Sequence, residues 1–384
     1  MGKGWDNSWI AFQKETRERC LKALKPWGYL LAFGGSRTYH RIACAIEDAG
    51  FEIRDCIMWL YGSWFPKSLN IWLAIDKKNG VESKVIGKSK SGSTSKAFNL
   101  NEQQREAGTG ILAGEYDLRE AQNEWNGWGT ALKPSYEPII VARKPLEWSC
   151  TDNVIKYWVG GINIDECRVE AEDLGELQKN WDRRQRTSSN VVNYVAQKDI
   201  ELNWYAPQGR FPANTILTYW EEDKEEVCSG FHDNEQRYYY TAKASKRDRD
   251  EGLDGFDIKW AKELLNREEN SDGASWNGKY SSWNAFAWCW APKKNTHPTV
   301  KPTDLMQYLV RLVTPNGWTV LDPFNWSGST GKAVMYENKD RNKNYKYIGI
   351  ELTEEYLPIA KARIEYVINK WEKKGEWLKQ QPLF

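Results

Sequence analysis

The chain has 384 residues, enough for one large domain with a second one inserted, since domains typically have about 100–200 residues. Its 54 Lys and Arg residues nearly balance 53 Asp and Glu residues, which gives a net charge of +1. This balance excludes a uniformly basic nucleic-acid-binding protein, so any contact with phosphates must come from local patches. Seven cysteines without a C-x-x-C pair predict reduced thiols in a cytoplasmic protein and argue against a zinc site. We expect no membrane span, because no signal-peptide pattern and no apolar run of about 18 residues occurs.

The N-terminal sequence alternates between patterns typical of helices and of strands. Apolar residues at helical spacing over 9–25 predict a helix that ends before Pro26. Residues 29–33 and 51–61 are typical of apolar strands, with a helix predicted over 40–49 between them. Such β-α-β alternation is typical of a parallel sheet that is covered by helices.

The middle of the chain has a different character. Residues 82–128 are polar with little periodicity, and the basic stretch 88–96 predicts either a contact with phosphates or a plain solvated loop. Residues 136–144 return to a strand pattern, and the sequence beyond Thr151 is again irregular. Near the C-terminal end, apolar residues at helical spacing predict a docking helix over 361–379.

A short strand followed by a loop of small residues stands at 319–331. The strand stops at Asp322, and the small residues 327–331 lead into a helix. Such a loop lets backbone N–H groups approach a ligand, and an acid about 20 residues further on can bind ribose hydroxyls. Glu351 ends a second strand at about that distance. The pattern predicts a nucleotide site of the Rossmann type, although a loop that binds another nucleotide, or nothing, is the alternative.

Three motifs in a fixed order resemble a known family. They are H-P-T-V-K-P at 297–302, D-P-F-N-W-S-G-S-T at 322–330 and I-G-I-E at 348–351. Together they resemble the S-adenosylmethionine-binding half of the amino-methylating DNA methyltransferases, in the beta-type order that places the catalytic half first. L-L-A-F-G-G-S-R-T-Y-H-R at 30–41 resembles that catalytic half. The resemblance implies an α/β fold: a Rossmann-like methyltransferase sheet with helices on both faces, plus an inserted irregular target-recognition region.

The resemblance also implies roles for single residues. The residues around the methionine part of S-adenosylmethionine would be Asp322, Phe324, Ser327 and Gly328. Glu351 would bind the ribose. The flanking part of the cofactor site would contain His297, Thr299 and Lys301. The family's reaction needs no metal.

The family pattern implies three regions along the chain. These are a catalytic half at 1–150 with the polar insert 82–128, a target-recognition region at 151–290, and a cofactor-binding half with a C-terminal helix at 291–384. Within the second region, 237–247 combines aromatic and basic residues, which suits DNA because cations neutralise phosphates and rings stack on unpaired bases. An aromatic strand with a charged flank is the alternative. The candidate DNA contacts are Tyr239, Lys243, Lys246 and Arg247.

One departure from the family concerns catalysis. An enzyme that methylates an exocyclic amine must flip its base out of the duplex and hold it. The family does so with [DNS]-P-P-[YFW], whereas no P-P-[YFW] occurs in this sequence. We expect this motif, on a central strand, upstream of Met1, and we therefore assign no catalytic residue within the chain.

A second departure is the use of tryptophan, which occurs 22 times. It stands where the family pattern predicts glycine at Trp27, Trp64, Trp72, Trp148, Trp158, Trp318 and Trp326. An indole at Trp326 should collide with the cofactor. We interpret these residues as one codon, UGA, which some genetic codes read as tryptophan and others as glycine. The alternative is a decayed, inactive copy of the gene.

The sequence therefore predicts a site-specific DNA methyltransferase that moves a methyl group from S-adenosylmethionine to N6 of adenine or N4 of cytosine. We expect double-stranded DNA as its partner, and a prokaryotic restriction-modification or phage system with a cognate restriction endonuclease. The alternatives are a catalytically inactive DNA-binding remnant and a methyltransferase that acts on RNA or protein.

Overall fold

The computed structural model describes residues 9–61, 68–81, 84–90, 115–119, 123–132, 134–169, 209–219, 238–242, 244–258 and 294–372. The chain forms two compact units. The first comprises Met1–Gly62, Tyr136–Asp254 and His297–Phe384, and the second comprises Ser63–Ser135 and Gly255–Thr296. Segments from both ends of the chain thus fold together in the first unit.

The elements follow in chain order. The first unit begins with α1 (Lys14–Ala23), β1 (Tyr29–Phe33), α2 (Tyr39–Asp48) and β2 (Glu52–Tyr61). The second unit contributes α3 (Ile71–Lys78), β3 (Val85–Lys90) and β4 (Glu115–Arg119). The first unit resumes with β5 (Tyr136–Arg143), α4 (Cys150–Tyr157), β6 (Thr215–Tyr219), β7 (Tyr239–Ala242) and α5 (Lys246–Asp250). It continues with α6 (Thr303–Val313), β8 (Thr319–Asp322), α7 (Ser329–Asp340), β9 (Lys346–Gly349) and α8 (Leu357–Glu372).

The predicted helices and strands of the two ends are confirmed to within a few residues. The largest difference between predicted and observed bounds is at 9–25, where a short 3-10 turn at Ile10–Phe12 precedes α1. The docking helix predicted over 361–379 begins earlier, at Leu357, and its last predicted residues lie outside the described part of the chain.

The larger sheet has five strands in the order β1-β5-β2-β6-β7. β5 is antiparallel to both β1 and β2, whereas β6 and β7 continue parallel to β2. The N-terminal β-α-β pattern predicted a parallel sheet, and the sheet is instead mixed because β5 enters between β1 and β2. The α/β class is confirmed. Two of its strands, β6 and β7, come from the region predicted to recognise the target.

The core of this sheet follows from the composition of β5, one of its inner strands. Residues 138–142 of β5 are all buried, as expected for a strand covered on both faces. Ile42 and Ile46 of α2 pack on Ile140 and Ala142. Each fully buried isoleucine of this kind stabilises the fold by about 1.5–3 kcal/mol.

The smaller sheet of the first unit is the parallel pair β8 and β9, connected through α7. Its register places Thr319 opposite Lys346 and Asp322 opposite Gly349. The carboxyl ends of both strands therefore meet at one edge, where the predicted cofactor loop begins. Among the described strands, β1 pairs only with β5, and β8 pairs only with β9.

The second unit contains α3 and the antiparallel pair β3 and β4. Asn70 caps the N-terminus of α3, where its side chain accepts a hydrogen bond from the Leu73 N–H at 3.4 Å. Lys88 to Lys90 of the predicted basic loop lie within β3, while 91–96 lie outside the described residues. In the parts of the chain that the structure describes, no helix is both long and apolar enough to cross a membrane.

Candidate functional site

Asp322 anchors the loop that follows β8. One carboxylate oxygen accepts the Phe324 N–H at 3.1 Å, and the other accepts the Thr330 hydroxyl at 2.5 Å. These bonds tie the end of the strand to the first turn of α7. Burial raises the pKa of Asp322, although both hydrogen bonds favour its ionised form.

Glu351 holds the same loop from the neighbouring strand. Its two carboxylate oxygens accept the backbone N–H groups of Trp326, at 2.6 Å, and of Thr353, at 2.8 Å. The two acids predicted from sequence therefore both bind this loop, Asp322 at the Phe324 N–H and Glu351 at the Trp326 N–H. This arrangement fixes the path of the backbone in the loop.

Residues of α8 hydrogen-bond to this loop and pack against it. The Arg363 guanidinium donates to the Ser327 carbonyl at 2.6 Å and to the hydroxyls of Ser327 and Ser329, each at 3.2 Å. A Cβ at Gly328 would lie 2.9 Å from the Ala360 Cα, and the φ of Gly328 is 75°. Ser327 and Gly328 are thus in contact with α8. Sequence reasoning missed Arg363, although an arginine beside the apolar Ile364 in a docking helix is a signal for a buried role.

A third acid, Asp248, connects Arg363 to two further helices. Its carboxylate accepts from the Thr303 N–H at 3.1 Å, the Thr303 hydroxyl at 2.5 Å and the Lys332 ammonium at 2.7 Å. Arg363 donates to its backbone carbonyl at 3.1 Å. Burial favours the neutral acid, but Lys332 and Thr303 together hold the pKa of Asp248 below its usual value. No local pattern signals this network, because its members are far apart along the chain.

His297 contacts the loop at Trp326. The imidazole stacks on the Trp326 indole, with ring centroids 5.2 Å apart and planes at 23°, and meets Tyr356 edge-on at 4.7 Å. Its Nδ1 accepts the Thr299 N–H at 3.2 Å. Burial lowers the pKa of His297 to about 3, so the ring is neutral at physiological pH.

Lys301 and Phe324 make contacts that the sequence did not predict. Lys301 forms an ion pair with Glu137, and its ammonium lies 4.7 Å from the Phe33 ring centroid. Lys301 thus ties the segment before α6 to the larger sheet. The Phe324 ring lies 5.4 Å below the guanidinium of Arg17, a residue of α1.

The four candidate DNA contacts do not form one described cluster. Tyr239 lies in β7 and stacks face to face on Tyr308 of α6, with centroids 3.9 Å apart, and burial raises its pKa to about 12. Lys246 and Arg247 are exposed on α5. Lys243 lies outside the described residues. A DNA-binding role for these residues stays a prediction, and the Tyr308 contact leaves one ring face of Tyr239 inaccessible to a base.

Comparison with known proteins addresses the family. The profile of the DNA methylase family N6_N4_Mtase matches residues 2–362. Type II methyltransferase M.HindIII of Haemophilus influenzae is 24% identical over 204 residues, which are 52% of this chain and 50% of that protein. Type II methyltransferase M2.DpnII of Streptococcus pneumoniae is 41% identical over 76 residues, 20% of this chain and 25% of that protein. The chain thus matches half or less of the length of these relatives.

A solved structure, the complex of M1.HpyAVI with SAM, matches 91% of this chain and 81% of its own at 15% identity. Its TM-score of 0.33 is too low to support a conclusion about this chain. The match to the family profile extends from residue 2 into α8 and confirms the resemblance seen in the three motifs. The chain belongs to the N6/N4 DNA methylase family.

Proposed function

We propose that this protein transfers a methyl group from S-adenosylmethionine to N6 of adenine or N4 of cytosine in double-stranded DNA. We place it in the cytoplasm of a prokaryote, in a type II restriction-modification or phage system with a cognate endonuclease. The observation that carries the proposal is the pair Asp322 and Glu351. They lie at the carboxyl ends of two parallel strands and hold one small-residue loop between them.

The chemical groups at this edge fit S-adenosylmethionine. Each oxygen of Glu351 accepts one backbone N–H, and because a carboxylate oxygen can accept two hydrogen bonds, capacity remains for ribose hydroxyls. Ile348 and Ile350 are 53% and 54% exposed beside it and offer an apolar surface to an adenine ring. The Trp326 indole, which stacks on His297, is a bulky side chain at a position where the family pattern predicts glycine.

The cofactor supplies a methyl group on a sulfonium, and the chain has to position and shield the reactants. Direct transfer needs neither a metal nor a covalent enzyme intermediate, so orientation provides most of the catalysis. Asp322 and Glu351 would orient the cofactor. A neutral His297 would add no positive charge to a site that binds a sulfonium. Lys301 connects this half to Phe33, at the end of β1 in the half that resembles the family's catalytic part.

Catalysis also requires residues that hold the flipped base, and we assign this role to no residue of the chain. We further propose that residues 151–290 contribute to DNA recognition, with Lys246 and Arg247 on phosphates.

The test is methyl transfer from labelled S-adenosylmethionine by the protein, with Trp326→Gly as a parallel variant. We expect label in N6-methyladenine or N4-methylcytosine after digestion of duplex DNA. Equimolar RNA at the same salt should not compete. Label in RNA or in protein would overturn the choice of substrate.

One observation favours a second candidate, an inactive DNA-binding remnant. It is the Trp326 indole that stacks on His297 in the loop region. This candidate predicts that the protein and its Trp326→Gly variant both bind DNA but transfer no methyl group, which distinguishes it from the first.

A further inference from the structure

Tryptophan occupies backbone conformations that normally belong to glycine. Five described residues other than glycine have a positive φ, and four of them are tryptophan. Their φ angles are 55° at Trp9, 70° at Trp27, 57° at Trp158 and 49° at Trp326, and the fifth residue is Asn342. Only a few per cent of non-glycine residues adopt this region, mostly Asn, Asp and His, because a Cβ crowds the backbone there.

Trp27 lies in a turn that requires glycine. The Gly28 N–H donates to the Lys25 carbonyl at 2.9 Å, and Pro26 precedes Trp27. A four-residue turn with proline at its second position and a positive φ at its third position is a type II turn. Its third position favours glycine or asparagine. The buried Trp27 Nε1 has no hydrogen-bond acceptor among the described residues, which is unusual for a buried indole.

Trp158 ends α4 in the left-handed conformation, with φ 57° and ψ 31°. Its N–H donates to the Val154 carbonyl at 2.8 Å. Helices commonly end in this way, and the residue is usually glycine. Since the Trp158 side chain is 72% exposed, burial of the indole does not offset the backbone strain.

Trp326 has the same conformation inside the cofactor loop. Glu351 accepts its N–H at 2.6 Å, so the backbone at this position is part of the site itself. With glycine there, residues 322–330 would match D-P-F-x-G-S-G-[ST]-T throughout. Trp9 is the fourth case: it precedes the 3-10 turn at Ile10–Phe12 and is 58% exposed.

Other described tryptophans have backbone angles outside this region. Trp59 is buried, donates its indole N–H to the Thr218 hydroxyl at 2.5 Å and meets Tyr61 edge-on. Three of the positions where the family pattern predicts glycine also lie outside the positive φ region, namely Trp72, Trp148 and Trp318. Trp64 lies outside the described residues. The backbone thus separates two groups of tryptophans.

We propose that positions 9, 27, 158 and 326 are glycine positions, specified by UGA in a gene whose source reads this codon as glycine. Side chains there are absent from the working protein. At position 326 this rests on the proposed function, because it opens the loop to S-adenosylmethionine. At positions 9, 27 and 158 it rests on backbone geometry alone.

The first experiment reads the codons in the gene and the corresponding peptides of the natural protein by tandem mass spectrometry. We expect UGA at the four positions with glycine in the peptides, and UGG with tryptophan at Trp59. UGG codons at the four positions, or tryptophan in the natural peptides, would overturn the proposal.

The second experiment uses the chain with tryptophan at all four positions. Trp158→Gly should raise the midpoint of thermal unfolding by about 2–4 °C, because it relieves the left-handed strain without loss of burial. Trp148→Gly is the matched control: Trp148 is 53% exposed, precedes the same helix and has a normal φ. It should leave the midpoint unchanged or lower it, since Lys156 lies 3.9 Å from its ring. A Trp158→Gly protein no more stable than the control would refute the geometric argument.

The third experiment measures S-adenosylmethionine binding by Trp326→Gly in calorimetry, and we expect at least a tenfold gain in affinity. If Trp158→Gly stabilises the protein but Trp326→Gly gains no binding, the proposed cofactor site is wrong and the glycine assignment at 158 stands. If both fail, the glycine assignment fails with them.

Discussion

His297 should make the stability of the fold depend on pH well above the range in which carboxylates titrate. Its pKa is 6.5 in an unfolded chain and about 3 in the fold, where burial disfavours the imidazolium. The unfolded state therefore binds a proton below pH 6.5 that the folded state does not bind. The stabilising contribution is complete above pH 6.5 and is lost as the pH falls toward 3.

The magnitude follows from the size of this interval. Each pH unit below 6.5 destabilises the fold by about 1.4 kcal/mol, so the 1.5 units down to pH 5 amount to about 2 kcal/mol. Asp322, whose pKa is raised, acts with the opposite sign, and Asp248 adds a loss only below its unfolded pKa of 3.8. These effects are common to wild type and variants, so a difference between proteins isolates the histidine.

The assay is urea unfolding at pH 7 and pH 5 of wild type, His297→Asn and His40→Asn. Asparagine retains an acceptor for the Thr299 N–H, and His40 is an exposed histidine of the same chain. We expect wild type and His40→Asn to lose about 2 kcal/mol more than His297→Asn between the two pH values. Equal losses in all three proteins would refute the conclusion that His297 is buried as a neutral ring.

Three further predictions concern the site and its support. In the Trp326→Gly background, Glu351→Ala should weaken S-adenosylmethionine by about 1–3 kcal/mol in calorimetry, and unchanged binding would contradict its role at the ribose. Arg363→Met should destabilise the first unit by about 3 kcal/mol or more in urea unfolding, because buried acceptors lose their donor. Arg363→Lys is the milder control. A loss below about 1 kcal/mol would argue against a supporting role for Arg363. Replacement of Lys246 and Arg247 by alanine should make the affinity for duplex DNA less dependent on salt. The slope of log affinity against log salt concentration should decrease in magnitude by about 0.9 for each phosphate that is no longer neutralised. An unchanged slope would exclude both residues from the interface.

The sequence predicted the parts of the fold that follow from local patterns. β1, α2 and β2 have continuous or periodic apolar residues, and their bounds were correct to within a few residues. The direction of β5 was not predictable, because an insert separates it from the strands it joins and alternation alone favours parallel neighbours. β6 was missed for a similar reason: its pairing of Thr215 with Met58 crosses most of the N-terminal half.

The residues of the candidate site also differ in whether a local sequence pattern predicted them. Asp322 and Glu351 were found because each ends a recognisable strand near the loop. Arg363 and Asp248 were not, since their roles exist only once α5 and α8 pack beneath the loop. The motifs identified the two acids that bind the loop, whereas Arg363 and Asp248 became apparent only from the tertiary structure.

The Arg363 contact also has a consequence for biogenesis. Chains emerge from the ribosome N-terminal end first, and pairings between distant residues form slowly. The loop at Ser327 is synthesised before α8 and gains its buried support only when Arg363 has emerged and docked. A ligand of this loop can then stabilise only the completed first unit and cannot act as a template for earlier folding steps. Proteolytic removal of α8 would take away the donor to the Ser327 carbonyl and with it the buried support of the loop.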